Sequence, residues 1–159
     1  MSTKQIINEF YSAFKKGDYQ KMNSLYGEDI IFNDSIFKDL DYLQVTSMWE
    51  MLLSKKEESK FSIEYEVLLD HNDEYYVMWS AHYLFGPKRR KVSNIVKSEM
   101  VIKDKKIALH TDVFDFYKWS KQAIGIASIL FGKRKFFHNK ICSVANKNLM
   151  NYISNKDHK

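Results

Sequence analysis

Three residues have types and settings that fit proton transfer: Asp34, His110 and Asp112. Asp34 follows the apolar run Ile30-Ile31-Phe32 and precedes Ile36 and Phe37. His110, Asp112 and Phe114 recur at every second position, so in a strand they share one face. Side chains two apart on a strand stand ~7 Å from each other. On that spacing the pair is expected to grip one substrate from two points, without a direct bond between them. An inward Asp among apolar groups would hold its proton more tightly, because desolvation disfavours the charged form. A neutral carboxyl of that kind can donate a hydrogen bond to an oxygen bearing developing charge. A neighbouring His could instead accept a proton, since its pKa lies near neutrality. Leu109, Thr111 and Val113 make the other face of this segment apolar as well, so the sequence leaves both faces open as the inner one. The same residues also fit plain structural roles. Asp34 suits a turn, and His110 with Asp112 suits a pair at a sheet edge.

Asn94 lies on the parity of Val92, Val96 and Met100, so it is expected to point inward. A buried amide costs about 1–3 kcal/mol unless its hydrogen bonds are met, so a neighbour, a water or a ligand must pair with it. Trp49, Trp79, Tyr83 and Phe114 supply rings for a cavity wall, and the Tyr83 hydroxyl adds a polar handle. Apolar walls with few polar groups are what a small-molecule site needs. Core packing alone would use the same rings.

Other chemistries lack support. No HExxH, CxxC or glycine-rich phosphate loop occurs, so no metal site is assigned and no cofactor is called for. His71 falls in a turn, His82 on an outward parity beside Ser80, His138 in the tail and His158 near the last residue. Cys142, between Ile141 and Val144, reads as a packed thiol.

The elements that must position these residues follow from periodicity. Residues 3–16 read as a helix capped by Ser2, with Gln5 at capping-box spacing and Gly17 as the stop. Asp18 caps a second short helix bearing Met22, Leu25 and Tyr26 and ended by Gly27. A short strand over 30–32 leads to a third helix, with Asp39 and Asp41 as candidate caps and Val45, Met48, Trp49 and Leu52 on one face. The period then becomes two. Four strands, near 61–67, 75–85, 92–102 and 107–116, make an antiparallel meander. The first is followed by the turn Asp70-His71-Asn72-Asp73. Helical spacing returns with Trp119, Ala123, Ile124 and Ala127, and again with Phe137, Ile141, Val144, Ala145, Leu149 and Tyr152.

At 159 residues, with 45% apolar and 15% aromatic content, the chain can bury one sizeable core. One Pro and five Gly exclude collagen-like and linker-rich architectures. A single cysteine argues for a reducing compartment, and the helical N-terminus does not read as a signal peptide, so a cytoplasmic setting is expected. Net charge is +5, unevenly placed. Up to Lys118 there are 17 basic against 19 acidic residues; beyond it, 8 against 1. That asymmetry admits a membrane or another anionic partner through the C-terminal tail, although a solvated helix face is the commoner cause. Neither basic cluster, 88–91 or 133–137, belongs to a nucleic-acid motif, so nucleic acid is not expected.

The order of elements over residues 3–118 resembles the nuclear transport factor 2-like superfamily, also called SnoaL-like, which includes ketosteroid isomerase and limonene epoxide hydrolase folds. More specific residues resemble a bacterial branch of it whose activity is open: Asp34, Met48-Trp49, Trp79 with Tyr83, Asn94, His110-x-Asp112-x-Phe114-Asp115, and Trp119-Ser120-x-Gln122-Ala123-x-Gly125. This chain has Asp34-Ser35 where that branch often has Asp-Pro, and Asp104-Lys105 where it has Asp-Gly. The resemblance implies an α+β fold: a cone-shaped, curved antiparallel sheet packed with N-terminal helices that close its wide end. Residues 1–118 would form the cone domain, and 119–155 a C-terminal helical extension of it. A homodimer through the sheet is also implied, as is an acid near Asp34 that can serve as base. Together with the residues above, this leads to a small-molecule-pocket protein. Acid–base chemistry of isomerase, dehydratase or hydrolase type, on a small apolar substrate and without a cofactor, is one reading. A non-catalytic ligand binder or a dimeric interaction protein is the other.

Overall fold

The computed structural model describes residues 1–72 and 74–157, the last by its backbone alone. Asp73 in the expected turn and His158 lie outside the described residues.

Helix α1 (Thr3–Lys16) opens with the predicted box: the Ser2 hydroxyl accepts from Gln5 N, and Ser2 N donates to Gln5 Oε1 at 2.7 Å. Gly17 ends it at φ +81°. Asp18 caps α2 (Tyr19–Ser24), but this helix stops before Tyr26 and Gly27, which instead begin β1 (Tyr26–Asn33). The longer strand forms because Tyr26 pairs with Ile107, giving the ring a buried place on the sheet that a helix would deny it. Asp41, not Asp39, caps α3 (Tyr42–Leu53), again with a complete box to Gln44. A short α4 (Lys56–Ser59) leads into the sheet.

The remaining strands are β2 (Ser62–Leu69), β3 (Tyr75–Phe85), β4 (Arg90–Lys103) and β5 (Lys106–Phe114), in the order β1-β5-β4-β3-β2. They form a curled, unclosed α+β sheet with the N-terminal helices on its inner side. β2 to β5 are the expected antiparallel meander, while β1 joins β5 in parallel. The connection is long enough to permit parallel pairing: the chain leaves β1 through α3 and the whole meander before it returns beside it.

The parity of β5 is settled by an irregularity in its pairing. Val101 faces Leu109, yet Ile102 faces Ile107, so Ala108 is extra on β5. Ile107 can therefore point inward together with His110, Asp112 and half-buried Phe114, while Leu109 and Val113 point out. Both faces looked apolar in the sequence because the outward residues Leu109 and Val113 are themselves apolar and exposed.

Rings dominate the core. Phe14 meets Trp49 and Trp79 edge-on at 4.9 and 5.2 Å, and Phe10 packs on Tyr26 and His110 at 5.4 Å. Beyond the sheet come α5 (Phe116–Ala123), α6 (Ile126–Phe131) and α7 (Lys135–Asp157). The predicted continuous face through Ala127 does not form. Gly125, at φ +85°, breaks the helix and leaves Ala127 exposed. On α7, Phe137, Leu149 and Ile153 are buried, and Leu149 and Ile153 enter the main core; Val144, expected on that face, is half exposed.

Candidate functional site

The concave side of the sheet, α3, α5 and α7 enclose a cavity of about 670 Å³. Asp34, Asp112, Asn94 and Tyr83 supply its polar lining, and Trp49, Trp79 and Phe114 supply rings. Seven of the eight residues singled out from the sequence therefore meet on one surface. His110 does not, because it lies one layer behind, 1% exposed.

What holds His110 there is a chain of buried hydrogen bonds. Trp49 Nε1 donates to the Tyr26 hydroxyl at 3.0 Å, and that hydroxyl lies 2.8 Å from His110 Nδ1. His110 Nε2 lies 2.9 Å from Asp112 Oδ1. Ser98, directly opposite Asp112 on β4, also donates to Oδ1, and Trp79 Nε1 donates to Ser98 at 2.9 Å. The directions follow from counting protons. The Tyr26 oxygen already accepts from Trp49, so its own proton goes to His110 Nδ1, and Nε2 carries the proton given to Asp112. Any other assignment strands a buried O–H.

The direct His110–Asp112 bond corrects the expectation of two separated grips. A backbone spacing of ~7 Å is closed when an imidazole and a carboxylate lean toward each other. Both tryptophans share in this chain, so each has a polar duty at one edge and an apolar wall at the other. Ser98 was legible by the parity that revealed Asn94. Tyr26 was not, because it read as part of a helix.

Asp112 takes both bonds on Oδ1 while lining the cavity, which leaves Oδ2 for whatever enters. Asp34 is arranged alike. Its Oδ1 accepts from the backbone N–H of Ile36 at 2.7 Å and of Phe37 at 2.6 Å. Burial pushes the Asp34 carboxyl up from 3.8 to about 6; those two N–H groups pull it down, Asp112 pushes it up and His110 pulls it down by lesser amounts. Two carboxyls on one cavity thus sit in different settings, one held by side chains and one by backbone.

Tyr83 accepts from Trp119 Nε1 at 2.8 Å, and burial raises its phenol to about 12, so it stays a donor at neutral pH. Ser35 occupies the place next to Asp34 with two ties. Its hydroxyl donates to Phe114 O at 2.9 Å, and its carbonyl accepts from His138 Nε2 at 2.7 Å. The tail histidine passed over in the sequence thus fastens α7 to the Asp34 loop. Helix α7 also brings Asn148, Asn151 and Asn155 to the cavity. Their spacing of three and four was readable as one helical face.

The SnoaL-like domain model matches residues 7–110. No functionally curated protein matches the sequence. Among solved structures, a candidate polyketide cyclase from Pseudomonas putida is 17% identical with a TM-score of 0.61, covering 77% of this chain and 98% of that one. An LEH-like epoxide hydrolase of M. tuberculosis is 16% identical with a TM-score of 0.56, covering 81% and 95%. TerC, co-crystallised with polyporic acid, is 13% identical with a TM-score of 0.58, covering 74% and 95%. At such identities the likeness is one of fold. The match over most of the chain, borne by a curled sheet with helices closing a polar-tipped cavity, places this protein in the SnoaL-like, nuclear transport factor 2-like family.

Proposed function

We propose that the cavity performs cofactor-independent proton transfer on a small, mainly apolar substrate carrying a carbonyl or similar oxygen. Asp34 is the base, and Tyr83 and Asn94 hold the oxygen. Asp112 presents its free oxygen beside them, while His110 acts through Asp112 as a positioning residue. The observation that carries this reading is the Asp34 carboxyl. It is raised to about 6, and one of its oxygens is free of the backbone on an apolar cavity. A base with its pKa near the working pH gives the best compromise between being deprotonated and being basic. The named likenesses to a polyketide-cyclase candidate and an epoxide hydrolase support an oxygenated ring or a small epoxide as the substrate class.

Native mass spectrometry of freshly purified protein, followed by a panel of hydroxyquinones and small epoxides, tests this. One bound molecule per chain is expected, with turnover that Asp34→Asn removes and binding that it spares. Turnover unchanged by Asp34→Asn would overturn the assignment. Binding without turnover in the wild type would leave the second reading, a ligand carrier. The closed hydrogen-bond chain through His110, which spends both ring nitrogens inside the protein, favours that second reading.

The outer face of the sheet suits a homodimer. Ile31, Val101 and Leu109 are paired neighbours there, and Ile95 and Val113 join them, all exposed. Covering such a face is the ordinary use of an apolar sheet surface. We place the helices beyond residue 118 in the same domain and the protein in the cytoplasm.

A further inference from the structure

Helix α6 is built inside out. Its fully buried residue is polar: Ser128, 0% exposed, whose hydroxyl lies 2.5 Å from that of Ser120. Its aliphatic residues face solvent, with Ile126 76%, Ile129 60% and Leu130 65% exposed. These three fall at i, i+3 and i+4 and so project on one side. Phe131 and Phe136, also exposed, stand 6.0 Å apart and extend the patch onto the start of α7. The arrangement is fixed from beneath. A Cβ on Gly132 would meet Ser128 O at 2.4 Å, so the chain turns tightly against the serine.

The charge along this stretch of the chain has one sign. From Phe116 to Lys156 there is no Asp or Glu, and Lys121, Lys133, Arg134 and Lys135 flank the apolar residues. Lys121 and Lys133 both sit over the Tyr117 ring, each Nζ 5.1 Å from its centroid, so two ammonium groups are gathered on one ring.

We propose that α6 and the first turn of α7 dock on an anionic lipid surface. The aliphatic and phenyl tips enter the interface, and the flanking Lys and Arg meet the headgroups. An apolar helix face with basic flanks is the composition of interfacial helices, and each basic residue adds attraction to anionic headgroups. A second copy of the chain fits poorly, since a two-fold contact would set the two basic flanks against each other. Nucleic acid would engage the lysines and leave the apolar tips wet. Among the described residues no helix is long and apolar enough to cross a membrane, so the attachment is to the surface.

Co-sedimentation of the full chain with vesicles tests this, comparing phosphatidylcholine alone with phosphatidylcholine containing about a third phosphatidylserine. Wild type is expected to pellet with the anionic vesicles alone and to be released by high salt. Ile129→Glu with Leu130→Glu is expected to weaken binding roughly tenfold or more, and Lys133→Glu with Lys135→Glu to a similar degree. All four positions point away from the core, so the circular dichroism of both variants should match wild type. Wild type staying in the supernatant, or the Ile129/Leu130 variant binding as well as wild type, overturns the proposal. Polyglutamate binding as strongly as the vesicles, with the same dependence on Leu130, would also overturn it and assign the face to an acidic protein.

Discussion

His110 Nε2 lies 2.9 Å from Asp112 Oδ1, two buried side chains on one strand joined behind the wall of the cavity. Tyr26 and Ser98 bond to this pair, and Trp49 and Trp79 donate to Tyr26 and Ser98 in turn. His110→Ala leaves the buried Tyr26 proton without an acceptor and takes away one of the two donors on Asp112 Oδ1. A loss of about 3 kcal/mol is expected, in line with breaking a buried polar pair. Urea unfolding of the variant measures it; a loss below about 1 kcal/mol would mean the chain of bonds is not structural.

Asp34 should make stability depend on pH in an unusual direction for a carboxyl. Between 3.8 and about 6 the folded chain holds a proton that the unfolded chain has released. Stability from this group therefore falls as pH rises through that window, and the cost by neutral pH is on the order of 1–3 kcal/mol. The lower part of that range applies, because the carboxyl meets the cavity. Asp34→Asn keeps an oxygen for Ile36 and Phe37 while removing the charge. It should match wild type near pH 4 and exceed it by about 1–2 kcal/mol at pH 7. Thermal melts at the two pH values read this directly, and no gain at pH 7 would contradict the burial of Asp34.

Tyr83→Phe strands the Trp119 indole N–H, which is buried at the cavity edge. About 1–2 kcal/mol of stability should be lost. Any ligand retained by wild type should bind more weakly, since the phenol is its donor. A variant with normal melting and normal ligand occupancy would remove Tyr83 from the site.

Val113→Lys places a charge on the exposed apolar face of the sheet without touching the core. Light scattering is expected to show a dimer for wild type and a monomer for the variant. A monomeric wild type at micromolar concentration would refute the dimer.

Much of this architecture was legible in the chain. The caps at Ser2 and Asp41, the stop at Gly17 and the meander carry their signals locally, in residue type and in period. Asn94 and Trp79 were readable because β4 alternates along its length and β3 does so from Val77 to His82. What escaped depends on distant pairing. Tyr26 becomes a strand residue only because Ile107 lies beside it, and no signal near residue 26 announces that. His110, a candidate base in the sequence, lies behind the cavity because Tyr26 and Asp112 together hold it there. The placing of α7 over the cavity was likewise not legible, although its asparagines share a readable face. Asparagines at 148, 151 and 155 are unremarkable on a helix until the helix is laid over an opening.

Ala108, the unpaired step in β5, has a reach well past its own size. It sets the phase of everything that follows on that strand, so Asp112 looks into the cup and His110 into the core behind it, while Leu109 and Val113 look outward. Deleting this one alanine would ask the rest of the strand to choose between keeping its hydrogen-bonded register and keeping its chemistry. In such a scaffold the tally of residues between two turns governs the interior as firmly as their identities do, and a change of length by one is a route by which a reactive cup could become an inert one.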